Sequence, residues 1–182
     1  MIGRIQQFAR AIVAKSPSKA EQEMLSDILS VEAQRLFLAM SVADQRHSLR
    51  VWETAQSLLD DREDPGMKPL NQQQIGLLQR CSLLHDIGRG SAMGPIRKSF
   101  GVLLHKFCPL WGQGQTGANQ GYFAQIAYRY YQHPCIGSEM LRSLGMTEEA
   151  AIIKLHHSVG PNQLSQEQKQ VLTLLQQADS MN

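Results

Sequence analysis

Apolar residues recur at spacings of three and four along nearly the whole chain, and stretches that alternate apolar with polar residues are scarce. This periodicity predicts helices over about 3–15, 18–28, 31–40, 42–60, 71–86, 95–107, 118–131, 134–144, 147–158 and 166–180, and hence an all-α fold. The breaks carry residues that end or start helices. Asp-Arg-Glu-Asp-Pro-Gly at 61–66 reads as a turn, as does Gly160-Pro161-Asn162. Gly145 stands just past the predicted 134–144 helix, a usual place for a C-terminal stop. Ser165, with Glu167 and Gln168 after it, reads as a helix start. The glycine-rich stretch at 111–121 reads as a connection between helices rather than a flap over a pocket. No internal repeat or clear linker divides the chain.

Certain polar residues fall on the apolar stripes. His47 shares a helical face with Ala43, Val51, Ala55 and Leu58, and His85 follows Leu78 and Cys81 on another. Asp179 continues Val171, Leu172 and Leu175, while His156 and His157 continue Ile152 and Ile153. His133 precedes Pro134, which predicts a position at or just before a helix start, ahead of Ile136, Met140 and Leu141. Inward carboxylates are expensive, because an unpaired buried charge costs several kcal/mol or is neutralised by a pKa shift. A lone core histidine, or one Asp beside one His, is commonly structural. Five histidines and two aspartates aimed inward are better explained by a divalent cation, which offsets carboxylate charge and takes neutral imidazole as ligand. A helical bundle can gather such ligands at its centre. Neighbours on a helix point about 100° apart, so His85 and Asp86 share a site only if it lies between their directions. Asp86, with two oxygens, can bridge two ions. The same constraint applies to His156 and His157: one is expected to ligate, and the other to bind a second metal, contact substrate or pack.

Composition narrows the partners. At 182 residues and 20.4 kDa the chain suits one domain with a real core. A formal charge of +2 is too weak to argue for a nucleic-acid polymer as partner. No apolar run approaches the length of a membrane span, and the N-terminal stretch lacks the compact apolar core of a signal peptide. Cys81, Cys108 and Cys135 are an odd set without paired spacing, which predicts reduced thiols and a cytoplasmic protein. No Walker-type Gly-Lys-Ser/Thr accompanies the glycine-rich stretch.

The ordered series His47, His85-Asp86, His133, His156-His157 and Asp179 resembles the HD-domain superfamily of metal-dependent phosphohydrolases. Its HDIG-type branch matches best, through HDIG at 85–88, HPCIGSEML at 133–141 and IIKLHHS at 152–158, within a resemblance covering about 40–180. The resemblance implies an HD-type helical bundle with a five-helix core at 41–182, and residues 1–40 as an N-terminal helical extension packed on it. It implies one or two divalent metal ions (Fe, Mn, Mg or similar). His47, His85, Asp86 and Asp179 would hold the first, and Asp86 would bridge to a second held by His133 and His156, with His157 the weaker candidate. The implied activity is hydrolysis of a phosphate ester, in a nucleotide or related small molecule, by metal-activated hydroxide.

This chain departs from the family in several places. HDIG is usually followed by lysine, and here Arg89 stands there; arginine can grip phosphate bidentately but is a poor metal ligand. Arg89 is therefore the first candidate for a catalytic substrate contact, beside Asp86. Arg97, Lys98, His105 and Lys106 form a basic stretch read as a solvated helix face. The text HHSVGPNQLS lacks the glutamate and Gly-Tyr-Pro of the HD-GYP cyclic-di-GMP phosphodiesterases, and no membrane helices precede the motif as in membrane-anchored cyclic-di-AMP phosphodiesterases. Two other classes share the scaffold: a di-iron HD-domain oxygenase with nearly the same ligands, and a non-enzymatic signalling or scaffold HD domain for which residues 1–40 would offer a partner surface. Leu36, Phe37 and Met40 there read as ordinary core.

Overall fold

The computed structural model describes residues 14–60, 69–91, 122–158 and 163–182, with side chains from residue 127 onward in the third stretch. Among these residues the chain forms seven α-helices, one 3₁₀ turn and no strand. We label the helices α1 (Lys19–Ile28), α2 (Val31–Leu38), α3 (Val42–Asp60), α4 (Gln72–Leu84), α5 (Tyr122–Ser143), α6 (Thr147–Lys154) and α7 (Gln166–Ser180); the 3₁₀ turn is Ile87–Arg89. The helix predicted at 95–107, the turns at 61–66 and 160–162, the 111–121 stretch and the 97–106 basic stretch lie outside the described residues. So does the helix at 3–15, apart from residues 14 and 15, which are not helical.

The helix starts follow from local chemistry. Ser18, Asn71 and Ser165 each accept a hydrogen bond from the amide three residues on, while Glu21, Gln74 and Gln168 reach back to the capping amide. Gly145 ends α5 with φ at 76°, and its amide and that of Met146 donate to the carbonyls of Arg142 and Leu141. These are the two bonds of a Schellman stop, as the glycine's position predicts.

Three predicted boundaries are corrected. The helices expected at 118–131 and 134–144 are one continuous α5, with Pro134 inside it. His133 is therefore in mid-helix, not at a helix start. Proline lacks the N–H that Tyr130 O would receive four residues back, and His133 Nδ1 lies 2.7 Å from that carbonyl and donates instead. Helix α4 stops at Leu84, with Asp86 leaving helical geometry at φ −103°, ψ 5°. Helix α6 stops at Lys154, and residues 155–157 form a turn.

Helix α4 packs against α1, α2, α3, α6 and α7, and α5 packs on α6 and on the 3₁₀ turn. Every residue from Cys81 to Gly88 is buried, so the segment carrying His85 and Asp86 runs through the interior. Leu25, Leu29, Phe37 and Met40 share one apolar cluster with Leu78, Leu84, Ile152 and Leu175, with Leu36 packed against it. Arg46 fixes α1 to α3 through a bidentate pair with Glu21 at 2.6 and 2.7 Å. Cys81 and Cys135 are free thiols, and burial pushes the Cys81 thiol up. No described helix is long and apolar enough to cross a membrane.

Candidate metal centre

All eight residues singled out from the sequence meet in one region. Two donor sets form there: His47, His85 and Asp179, from α3, the end of α4 and α7; and His133, His156 and His157, from α5 and the turn after α6. Within each set, one nitrogen or carboxylate oxygen per residue lies within 4.8 Å of the others. In the first set His47 Nε2 is 3.0 Å from Asp179 Oδ1 and 3.3 Å from His85 Nε2. Donors bound at ordinary metal–ligand lengths around one ion lie roughly 3.0–3.5 Å from each other, so these separations suit a shared cation. The rings of His85 and His156 meet edge-on with centroids 5.5 Å apart, which makes the sets contiguous.

Asp86 stands between them. Its Oδ2 is 3.6 Å from His85 Nε2 and 3.9 Å from His47 Nε2, and its Oδ1 is 3.4 Å from His133 Nε2. One oxygen faces each set. His85 and Asp86, at the point where the chain leaves α4, both reach this region, with His85 Nε2 3.6 Å from Asp86 Oδ2. His156 and His157 likewise lie beyond α6, and both reach the second set, the former buried and the latter on its exposed rim.

Three rings are oriented by the same device. The Nδ1 atoms of His85, His133 and His156 lie 3.0, 2.7 and 2.6 Å from the carbonyls of Ser82, Tyr130 and Ile153, each three residues back. Carbonyls near a helix end, or before a proline, lack the amide donor four residues on, and the imidazole N–H reaches them; the Ile153 carbonyl also accepts the His156 amide at 3.3 Å. The proton is thereby held at Nδ1, and Nε2 is left as a lone pair facing the centre.

Electrostatics agree. Burial, then the proximity of His157 and His85, pushes His156 down to about 3. Burial, reinforced by the Arg89 guanidinium, takes His133 well below its usual value. Burial would raise Asp179, but the hydrogen bond with His47 and the neighbouring His85 hold its carboxyl well below the usual carboxylate range. The buried Nε2 of His156 has no hydrogen-bond partner among the described residues. A lone pair of that kind is costly unless a cation or water meets it, and the donor set fits a divalent ion.

Arg89 is placed differently from a simple solvent-facing phosphate contact. Its Nη1 is 2.6 Å from Asp86 Oδ2, its Nη2 is 3.5 Å from His133 Nε2, and only 14% of its side chain is exposed. Nη1 also faces Asp44 Oδ1 at 3.8 Å. Asp44 is fully buried, and its Oδ2 accepts a hydrogen bond from Ser41 at 2.5 Å. Sequence reasoning missed this residue, although the signal was available. Asp44 lies three positions before His47, on the same inward stripe as Val51 and Ala55.

The close approach of α5 to the 3₁₀ turn brings His133 to Asp86. It occurs at two glycines, Gly88 and Gly137, whose backbones touch where side chains would hold them apart. No protein-family model, no curated protein and no solved structure matches this chain.

Proposed function

We propose that the chain is a metal-dependent phosphohydrolase of the HDIG-type HD class, cleaving a phosphate ester in a nucleotide or related small molecule. The observation that carries this reading is Asp86 lying between the two donor sets with one carboxylate oxygen toward each. In this reading His47, His85, Asp86 and Asp179 hold one divalent ion, and Asp86, His133, His156 and His157 hold another (Fe, Mn, Mg or similar). Such ions supply a water of lowered pKa and offset charge on the phosphoryl oxygens.

The chain's own residues perform the remaining tasks. The carbonyls of Ser82, Tyr130 and Ile153 keep the imidazole protons away from the reacting side. Arg89 presents a planar fork of donors suited to two phosphoryl oxygens, and Asp44 and Asp86 hold that fork at the site. The functional unit in this reading is residues 41–182, with 1–40 as a helical extension.

The test is a metal-content assay on purified protein, followed by a screen of nucleotides, cyclic dinucleotides and sugar phosphates. Bound metal with phosphoester turnover that is lost in Asp86→Ala is the expected result. Bound iron with oxygen consumption, and no hydrolysis, would replace this reading with an oxygenase. Metal retained without either activity would favour a signalling or scaffold domain.

A further inference from the structure

We propose that Arg89 sets the order in which the centre fills, keeping the His133 set from taking a cation until an anion draws the guanidinium away. The inference rests on the metal-binding reading above and adds to it a role for this chain's own arginine.

The two donor sets are unequal. The first contains a carboxylate, Asp179, and among the described residues Arg89 pairs with Asp44, Asp86 and His133 but with no member of that set. Among the described residues the second is made of three imidazoles, with the shared Asp86 as the carboxylate beside it. That carboxylate already holds Arg89 at 2.6 Å through Oδ2, the oxygen nearer His85 and His47, so the contact particular to the second set is the other guanidinium nitrogen, 3.5 Å from His133 Nε2. Because the His133 proton is engaged with Tyr130 O, Nε2 is an acceptor, and Arg89 donates toward the lone pair a cation would use. A cation entering this set must displace a guanidinium and meet its positive charge a few ångströms away, in a place largely shut off from water.

Two consequences follow. One divalent ion binds tightly at His47, His85 and Asp179, and a second binds weakly. A phosphate group that engages Arg89 withdraws it from Asp86 and His133, so phosphate and the second cation favour each other's binding, reciprocally.

The experiment is calorimetric titration of metal-free protein with Mn²⁺, with and without inorganic phosphate, on wild type, Arg89→Gln and Arg89→Lys. The electron paramagnetic spectrum separates isolated from paired Mn²⁺. Wild type is expected to show one tight site and one weak site, with the weak step strengthened by phosphate. Arg89→Gln should tighten the second step by at least about tenfold, and the first by less. Phosphate should strengthen that step less in this variant than in wild type. Arg89→Lys, which keeps the charge, should retain a weak second site. His156→Ala in the Arg89→Gln background should abolish the tightened step and leave the first. Two equal sites in wild type, or a second step unchanged by Arg89→Gln, would overturn the inference while leaving the metal reading intact. No Mn²⁺ binding in any variant would overturn both.

Discussion

Gly88 and His133 meet backbone to backbone: a Cβ placed on Gly88 would lie 2.0 Å from the His133 carbonyl oxygen and 2.7 Å from the amide nitrogen of Gly137. Neither neighbour is a flexible side chain that can move aside. Gly88→Ala must therefore push α5 away from the 3₁₀ turn. We expect a loss of roughly 3 kcal/mol, the upper end for overpacking, read by denaturant unfolding. Binding at the second donor set should weaken more than at the first, because His133 moves and His47 and Asp179 do not. Wild-type stability in this variant would contradict the packing described.

Removing Asp86 should empty the centre. Asp86→Ala deletes the carboxylate that lies beside both donor sets and leaves Arg89 partly buried beside imidazoles. Bound metal should fall to a small fraction of wild type and phosphoester hydrolysis should disappear. Unchanged metal content, measured by mass spectrometry, would remove Asp86 from the assignment.

Asp44→Asn should separate substrate binding from metal binding. The carboxylate lies 3.8 Å from Arg89 Nη1 and accepts a hydrogen bond from Ser41. Loss of its charge should raise KM for a phosphoester by about fivefold, equivalent to roughly 1 kcal/mol, with tight metal binding retained. Loss of the tight metal site would assign Asp44 to the centre itself.

The metal-free protein should lose stability in acid through its histidines. His156 titrates at about 3 and His133 well below its usual value, whereas both take a proton near 6.5 once unfolded. The unfolded chain therefore binds more protons than the folded one below about 6.5, and stability falls as pH drops from there toward about 3. The stabilising difference is fully present above 6.5. Each such histidine steepens the fall by up to ~1.4 kcal/mol per pH unit. Unfolding curves of wild type and His156→Gln between those limits check it, with a shallower slope expected for the variant.

Much of this was legible in the sequence, for reasons that differ by residue. The capping partners Ser165 and Gln168, and the stop at Gly145, act through bonds within a few residues, and local text is enough to read them. The inward stripes of His47 and Asp179 were legible because α3 and α7 are regular throughout the relevant turns. The continuity of α5 was not, since proline ordinarily marks a boundary and its rescue depends on which way one imidazole turns. Nor was the end of α4, which comes two residues earlier than its periodicity suggests. Arg89 reads in sequence as a candidate phosphate contact, and only the fold reveals that two buried aspartates flank it.

The hydrogen bond from His133 to Tyr130 makes one proton serve both a helix and a ligand. Deleting the ring at 133 removes a donor from the cation and a splint from α5 together, so His133→Ala confounds two losses. Pro134→Ala restores a backbone N–H for the Tyr130 carbonyl. The double variant His133→Ala, Pro134→Ala should therefore recover helicity and stability relative to His133→Ala alone, yet remain defective in its second cation. In wild type the proline has the opposite use. By withholding the competing amide, it leaves the imidazole as the local donor for that carbonyl, and the ring is committed to one tautomer before any metal arrives.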